Sequence, residues 1–282
     1  MVNCGTFMAN PQRKNNSTPD YLTPLIQNAP AAWALIRANE IRALEGVKFL
    51  SPSLDVGCGD GQVAKVVLGR TRKFDWGIDM SQVEIERAKK SGAYKNCKVA
   101  SVYDLPFKNQ GFQTVFSNSV VEHLEDLDRA IAEMSRVLKK GGKLVITVPT
   151  PYLTDYLGVK RFLDSLGLSV LGGFYGDFFN KLFKHKNLYK HTEWEKIFKK
   201  HGLILIDYKY YHSERLIRAH ELLTYIAIPQ QISKMLFGNW VGFSRLRKSL
   251  ILPVLLGVLH DLYYQEINGE KGASCLLVAT KK

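Results

Sequence analysis

The chain has 282 residues, of which 46% are hydrophobic and 11% aromatic, so it can bury a large core and disorder is excluded for most of its length. Its four cysteines are scattered without Cys-x-x-Cys spacing, which argues against a disulfide framework or zinc site and favours a reducing, cytoplasmic compartment. The net charge of +13 fits a solvated basic surface, an anionic substrate or an anionic membrane surface. No nucleic-acid-binding motif accompanies this charge, so nucleic acid is ranked last among the partners.

Between residues 51 and 149, short apolar runs alternate with helical patterns. The predicted strands are residues 53–57, 73–80, 97–101, 112–119 and 142–149. The predicted helices are residues 62–69, 81–92 and 126–142, the second with Ser81 as its cap and Gly92 as its stop. This alternation predicts an α/β fold: a Rossmann-like, doubly wound, mostly parallel seven-stranded sheet with helices on both faces.

The regular alternation is interrupted twice after Pro149. Residues 1–20 are predicted to be a flexible tail, and residues 21–282 a single domain. Its predicted core is 51–149, 191–212 and 271–280, with a helix at 191–202 capped near Thr192 and a strand at 203–211. The insertions 150–190 and 213–270 are predicted to form a mainly helical cap.

The second insertion also raises the question of a membrane. Its longest uncharged stretches, at 235–244 and 249–260, are shorter than the roughly 20 apolar residues that a spanning helix needs. It is therefore interpreted either as part of the cap or as a basic amphipathic surface in a bilayer interface. The protein would then be cytoplasmic and peripheral at the membrane.

A glycine-rich stretch, "LDVGCGDG" at 54–61, follows the first predicted strand. It lacks the Gly-Lys-Ser/Thr ending of a P-loop, and its G-x-G-x-G spacing differs from the G-x-G-x-x-G of a dinucleotide site. Asp55 and Asp60 would repel a pyrophosphate but attract an ammonium group. The loop therefore suits a nucleoside that carries an amino acid better than it suits a phosphate.

Two more acidic residues follow later strands. Asp79, in "GIDMS", ends the second predicted strand, where a carboxylate can accept both hydroxyls of a ribose. Asp104, in "VYDLPF", follows the third strand and could accept a hydrogen bond from an adenine amino group. An ordinary loop aspartate is the alternative interpretation for Asp104.

Taken together, "LDVGCGDG", "GIDMS", "VYDLPF" and the run from Phe112 to Pro149 resemble the class I S-adenosylmethionine-dependent methyltransferases of the type 11 domain family. The resemblance covers about 51–149 and implies S-adenosylmethionine as cofactor. It assigns three parts of the cofactor to this chain: the methionyl part to Asp55 and the Gly57–Gly61 backbone, the ribose to Asp79, and the adenine to Asp104 and Leu105. Ser117 would line the floor, and the assigned set also includes Cys58, Gly59, Asp60, Gly61 and Met80.

The resemblance further implies direct methyl transfer to a bound nucleophile. His123, just past the fourth strand, is the candidate general base, and a packed helix-end histidine is the alternative. Some relatives bind a metal through an acid three residues before a Glu-His pair; Ser119 stands there, so no metal is predicted. Candidate substrate residues in the variable regions are Tyr21, Tyr152, Tyr156, Arg161, His191 and His212.

The predicted acceptor is a small-molecule, lipid-linked or glycan (sugar-linked) compound, methylated on oxygen. A soluble secondary metabolite is the alternative acceptor. A cofactor-binding module without catalysis and a nicotinamide-dependent oxidoreductase are the alternative functions. The acceptor atom and the oligomeric state are left open.

Overall fold

Seven strands form one sheet in the computed structural model, which describes residues 19–27, 29–69, 71–237, 252–264 and 269–282. The strands are β1 Ser53–Val56, β2 Phe74–Asp79, β3 Tyr94–Val99, β4 Phe112–Asn118, β5 Leu138–Pro149, β6 Leu203–Tyr211 and β7 Ser274–Lys281. Their order across the sheet is β3-β2-β1-β4-β5-β7-β6, with β1 to β5 parallel and β7 antiparallel to both of its neighbours. The predicted α/β fold is confirmed.

Helices cover both faces of this sheet. Those of the first half are α1 Leu22–Ile26, α2 Ala31–Ala43, α3 Gln62–Leu68, α4 Gln82–Ser91 and α5 Leu127–Val137, with a 3-10 turn at Val121–His123. Those of the second half are α6 Tyr152–Asp155, α7 Gly158–Ser165, α8 Ser169–Leu182, α9 His191–Lys200, α10 Glu214–Phe237 and α11 Leu252–Tyr263. Alternate residues of β5 point to opposite faces: Leu144 and Ile146 join the core beneath α5 and α9, whereas Val145 joins the core beneath α3 and α4.

The local signals at α4 act as the sequence predicts. The Ser81 hydroxyl accepts a hydrogen bond from the Glu84 backbone N–H at 3.3 Å, which satisfies one of the free donors of the first turn. Gly92 ends the helix in the left-handed conformation, with φ +75°. Both predicted ends are confirmed.

Two other predicted helix ends are wrong. The helix predicted over 126–142 ends at Val137, and residues 138–142 belong to β5, where Leu138 pairs with Phe112 of β4. Strand pairing here outweighs the helical preference of the lysines. Helix α9 is capped at Lys190 rather than near Thr192, because the Glu193 side chain accepts the Lys190 N–H at 2.9 Å.

A helical cap is built from both insertions and the residues before β1. Apolar side chains of α1, α2, α6, α8, α10 and α11 share one buried cluster, which includes Leu35, Phe179 and Ile217. No helix of the described residues is long and apolar enough to cross a membrane. The predicted tail up to residue 18 and the stretch 238–251 of the second insertion lie outside the described residues.

Candidate active site

The glycine loop turns sharply at the carboxyl end of β1. The backbone N–H groups of Gly57 and Cys58 both donate to the Ile78 carbonyl of β2, at 2.8 and 2.9 Å. Gly57, Gly59 and Gly61 have φ values of +75°, +51° and +78°, a conformation that costs little energy only for glycine. A Cβ on Gly57 would also lie 2.4 Å from a methyl group of Val120. The loop is therefore fixed by β2 on one side and by the residues after β4 on the other.

Asp79 ends β2 directly beside this loop. One of its carboxylate oxygens accepts the Gly59 N–H at 3.0 Å, and the other accepts the Ser81 N–H at 2.9 Å. Each oxygen keeps a lone pair for a further donor, so the carboxylate can accept a pair of hydroxyl groups without losing its backbone contacts. The next residue, Met80, is exposed and offers an apolar surface at the same edge of the sheet.

Asp55 and Ser117 lie beneath the loop. The Tyr94 hydroxyl donates to Asp55 Oδ2 at 2.7 Å, and the Ser117 hydroxyl donates to the Val56 carbonyl at 3.1 Å. Burial raises the pKa of Asp55 to about 7, and the nearby Asp79 carboxylate adds to the rise while the Tyr94 hydrogen bond opposes it. Both residues support the loop from below, and their contact with a ligand stays a prediction.

The remaining predicted cofactor residues border the same edge. Asp60 Oδ1 accepts the Gln62 N–H at 3.0 Å and so helps to start α3. Asp104 is exposed after β3, whereas Leu105 is buried, and its N–H donates to Glu133 of α5 at 2.8 Å. Carboxylates, backbone N–H groups and an exposed methionine meet here, a set of groups that fits a nucleoside carrying an amino acid.

A cavity of about 320 Å³ opens on the other side of the turn after β4, beneath the cap. Ser119, Glu122 and His123 line it from this turn, while Val120 between them contacts Gly57 of the glycine loop. One short segment therefore separates the cavity from the predicted cofactor site. A volume of this size suits a small organic molecule or the head group of a larger one.

An ion pair with a hydrogen-bond network forms one wall of the cavity. Arg37 and Glu40 of α2 are paired, and Glu40 also accepts hydrogen bonds from four side chains of β4, β5, β6 and the turn after β4. These donors are Asn118 at 3.2 Å, Ser119 at 2.9 Å, Thr147 at 3.1 Å and Tyr211 at 3.3 Å. Although burial opposes ionisation, the Arg37 charge holds the pKa of Glu40 below its ordinary value.

Glu122 is the unusual group of the cavity. It is 2% exposed, and its Oε2 has no hydrogen-bond partner among the described residues. Burial raises the pKa of Glu122 to about 8, and the Glu40 charge adds to the rise while Arg37 opposes it. A buried carboxyl oxygen without a hydrogen-bond partner is costly, so a bound ligand that supplies a partner for Oε2 would be favoured.

His123 lies between Glu122 and solvent. Its Nε2 is 3.7 Å from Glu122 Oε1, its Nδ1 is 3.2 Å from the Lys184 carbonyl, and its side chain is 42% exposed. Its ring also stacks on His185, with 5.7 Å between the ring centroids. His123 therefore borders the cavity, and its role as a general base stays a prediction. The buried acid beside it is a second candidate base.

The other histidines of the cavity are neutral. Burial lowers the pKa values of His185, His212 and His220 to about 4. His212 Nε2 lies 3.0 Å from the Ile36 carbonyl and must carry the proton, so Nδ1 accepts from the Ser274 hydroxyl at 2.9 Å. His212 and Ser119 both have φ values near +60°, at +61° and +52°, and strained non-glycine residues of this kind cluster at functional sites.

Of the six predicted substrate residues, His212 lines the cavity. The other five are described residues that lie outside its lining: Tyr21, Tyr152, Tyr156, Arg161 and His191. Arg161 pairs with Glu214, and the His191 ring stacks on Tyr208 with 3.9 Å between centroids. The roles of these five toward a substrate stay predictions.

Sequence reasoning missed much of the cavity lining. Arg37, Glu40 and Trp33 come from α2, and His185 and His220 from the two insertions. The Glu122-His123 pair is the local signal for the cavity, but the sequence alone points to the histidine and not to the acid. Among the described residues, no three His, Cys, Asp or Glu side chains are grouped so that they could hold a metal ion.

Comparisons with known proteins agree with this geometry. The profile of the methyltransferase domain family matches residues 54–146, the segment that contains the glycine loop, Asp79 and Glu122. The chain is 33% identical over 135 residues to a probable tRNA methyltransferase 9B of Mus musculus, covering 47% of this chain and 28% of that protein. It is 28% identical over 175 residues to a ubiquinone biosynthesis O-methyltransferase of Brucella ovis, covering 60% of this chain and 64% of that protein. The chain thus spans less than two thirds of the length of either relative.

Solved structures extend the likeness of the fold beyond residue 146. A methyltransferase of Thermotoga maritima, described as a possible histamine N-methyltransferase, has a TM-score of 0.53 at 16% identity and covers 89% of this chain and 91% of its own. The [4+2]-cyclase SpnF has a TM-score of 0.53 at 18% identity, covering 88% and 80%. Identities this low show the fold alone.

The family profile over residues 54–146 and the sheet topology together support a class I S-adenosylmethionine-dependent methyltransferase. The match to this family also supports S-adenosylmethionine as the cofactor.

Proposed function

We propose that this protein transfers a methyl group from S-adenosylmethionine to a hydroxyl of an acceptor bound in the cavity beneath the cap. The observation that carries the proposal is the turn after β4. Val120 touches the glycine loop on one side, and Glu122 presents an unpartnered carboxyl oxygen to the cavity on the other. The predicted site of the methyl donor and the cavity for the acceptor therefore lie on either side of one short segment.

The residues of this chain supply position and a proton acceptor. When bound, S-adenosylmethionine supplies a methyl group from a positively charged sulfonium, which is left as a neutral thioether. The Glu122 carboxylate accepts the proton of the acceptor hydroxyl as that oxygen bonds to the methyl carbon, so the O–H and S–C bonds break while an O–C bond forms. His123 then connects the protonated carboxyl to solvent. General bases of this kind contribute about 10²–10⁴-fold to a rate.

The cavity also favours a class of acceptor. His185, His212 and His220 are neutral and its arginine is already paired, so the cavity suits an uncharged hydroxyl-bearing group better than a free polyanion. Two apolar residues, Phe179 of α8 and Phe183 just after it, also line the cavity. We infer a lipid-linked or sugar-linked acceptor, and a soluble secondary metabolite is the alternative.

Radiolabel transfer tests this function. The purified chain is incubated with tritiated S-adenosylmethionine and with the lipid, soluble small-molecule, RNA and protein fractions of host cells. We expect label in a lipid or glycolipid fraction that survives mild alkali, because ethers do not saponify. Label in the soluble small-molecule fraction would favour the secondary metabolite, and label in RNA or protein alone would refute the proposed acceptor class. No transfer to any fraction would favour a cofactor-binding module without catalysis.

Asp79→Asn should weaken binding of S-adenosylhomocysteine by about 1–3 kcal/mol, measured by calorimetry, because one carboxylate oxygen that can accept a ribose hydroxyl becomes an amide donor. Asp75→Asn is the matched control. Asp75 lies on the same strand β2 but at its opposite end, where it accepts hydrogen bonds from Ser51 and Ser53. Equal affinities of the two variants would count against the ribose role of Asp79, and binding of NADH instead of S-adenosylhomocysteine by the wild type would support an oxidoreductase.

A further inference from the structure

The first insertion forms a helical hairpin with an exposed apolar face. Helices α7 and α8 are joined by residues 166–168, and the side chains at 170, 174, 178 and 182 repeat every four residues, which places them on one side of α8. Eight large apolar residues of the hairpin are between 44% and 73% exposed: Phe162, Leu166, Leu168, Val170, Leu171, Phe174, Phe178 and Leu182. Isolated exposed apolar residues are common, but a continuous face of this size marks an interaction surface.

The opposite face of the hairpin holds it against the protein. Gly172 and Gly176 of α8 are buried, and a Cβ on Gly172 would lie 3.2 Å from the Lys160 carbonyl of α7, so the two helices pack closely. Phe179 is buried in the cap core and lines the cavity. Helix α8 thus separates the cavity from solvent, with aromatic side chains on both of its faces.

The distribution of charged side chains along the hairpin indicates what could bind to its apolar face. Residues 165–176, which form the tip, contain no charged side chain. Exposed lysines follow at the base of the hairpin, at Lys181, Lys184 and Lys186, and they outnumber the exposed acid in this stretch, Asp177. The whole chain has a net charge of +13. An uncharged apolar tip with lysines at its base matches a bilayer interface, in which acyl chains bury the tip and anionic head groups attract the lysines.

We propose that the α7–α8 hairpin docks in the interface of an anionic membrane and buries its eight exposed apolar residues there. Because the inner face of α8 lines the cavity, docking brings the cavity to the membrane surface, where an acceptor carried by a lipid can reach it. This second step rests on the proposed methyl transfer, whereas the docking does not.

Vesicle co-sedimentation of the full chain tests the docking. Vesicles of pure phosphatidylcholine are compared with vesicles that contain phosphatidylglycerol, at low and high salt and without S-adenosylmethionine. We expect the wild type to bind the anionic vesicles and to bind them more weakly as salt rises. The double variant Phe174→Glu/Phe178→Glu should bind at least tenfold more weakly, and both side chains are exposed, so the fold should persist.

A control variant tells whether weaker vesicle binding comes from the loss of the apolar hairpin face or only from the two added negative charges. Ile204→Glu/Ile206→Glu replaces two exposed apolar residues of β6 and changes the net charge by the same amount. We expect its vesicle binding to stay within about twofold of the wild type. Equal losses in the two variants would overturn the proposal, as would wild-type protein that stays in solution with anionic vesicles at low salt. A wild-type dimer that the hairpin variant dissociates in the absence of vesicles would assign the face to a second copy of the chain and also overturn it. Because no methyl donor is present, failure here leaves the proposed methyl transfer standing, and failed label transfer leaves the docking standing.

Discussion

Glu122→Gln should lower the rate of methyl transfer by about 10²–10⁴-fold, because the amide keeps the shape of the side chain but cannot accept a proton. Binding of S-adenosylhomocysteine should change little, since Glu122 faces the cavity and the cofactor groups lie on the other side of Val120. The measurement is the rate of label transfer to the acceptor fraction, with calorimetry in parallel. Glu125→Gln is the control: this residue is exposed on the same turn and pairs with Lys186.

The pH profile separates a proton acceptor from a merely structural residue. With a pKa of about 8, Glu122 is mostly protonated at neutral pH, so the wild-type rate should rise with pH and level off above about pH 8. The charged and titratable groups that face it are Arg37 and Glu40 of α2, with His123 and His185 beside the turn. The rate of the Glu122→Gln variant should not rise with pH in this way. A wild-type rate that is flat from pH 6 to 9 would contradict the assignment.

As pH rises, the free energy of unfolding of the wild type should fall while its rate of methyl transfer increases. The pKa of Glu122 is raised from 4.5 to about 8, so the folded protein holds this proton more tightly than the unfolded chain does. The free energy of unfolding therefore falls as pH rises between these values. Glu122→Gln removes this effect and should be more stable than the wild type at pH 8, by on the order of 2–4 kcal/mol, with little difference at pH 4.

Glu40→Ala should reduce the free energy of unfolding by about 3–5 kcal/mol, because it leaves Arg37 without its partner and removes the acceptor of four buried or half-buried donors. Denaturant titration measures the loss. The effect should be largest near neutral pH, where the Glu40 carboxylate is ionised. Because its folded pKa is lowered, the contribution declines as the medium is acidified through that pKa.

An exposed pair with the same spacing provides the comparison. Arg87 and Glu84 on α4 are also three residues apart, at 2.6 Å, but their side chains are 60% and 30% exposed. Glu84→Ala should cost less than about 1 kcal/mol, since solvent screens the pair. Similar losses for the two variants would show that burial adds nothing to the Arg37–Glu40 pair.

The parts of this molecule that follow local rules could be predicted from the sequence. Strand-helix alternation predicts the parallel sheet, which the structure confirms. The glycine spacing with Asp79 at the end of β2 predicts a cofactor site at this edge of the sheet. Residues 138–142 were assigned to a helix because their pairing with β4 is a long-range contact that local preference does not contain. Apolar periodicity predicts that α8 has an apolar face, but it does not tell whether that face is buried or exposed, as the structure shows it to be.

The cavity escaped prediction for a different reason. Its titratable residues come from α2, the turn after β4, the segment after α8, and α10 with the residue two before it, His212. These parts are far apart in the chain and meet only in the folded cap. Helix α2 is buried on most of its surface, so Arg37 and Glu40 sit in an alanine-rich sequence without an amphipathic pattern. In the sequence alone, the Arg37–Glu40 pair therefore looks the same as a pair of charges on an exposed helix surface.

Besides the His123–Lys184 and Lys186–Glu125 contacts, four hydrogen bonds join the segment after α8 to the turn that carries Glu122. The Glu122 carbonyl accepts the backbone N–H groups of Lys186 and Asn187, at 2.7 and 3.1 Å. The Asn187 side-chain amide donates to the carbonyls of Val121 and Leu124, at 2.9 and 2.8 Å. The hairpin and the turn that carries Glu122 are thus mechanically linked, and a force that tilts α8 must either stretch these bonds or displace the Glu122 backbone. Contact with a surface at one end of the hairpin can in this way alter the alignment of the carboxylate at the other.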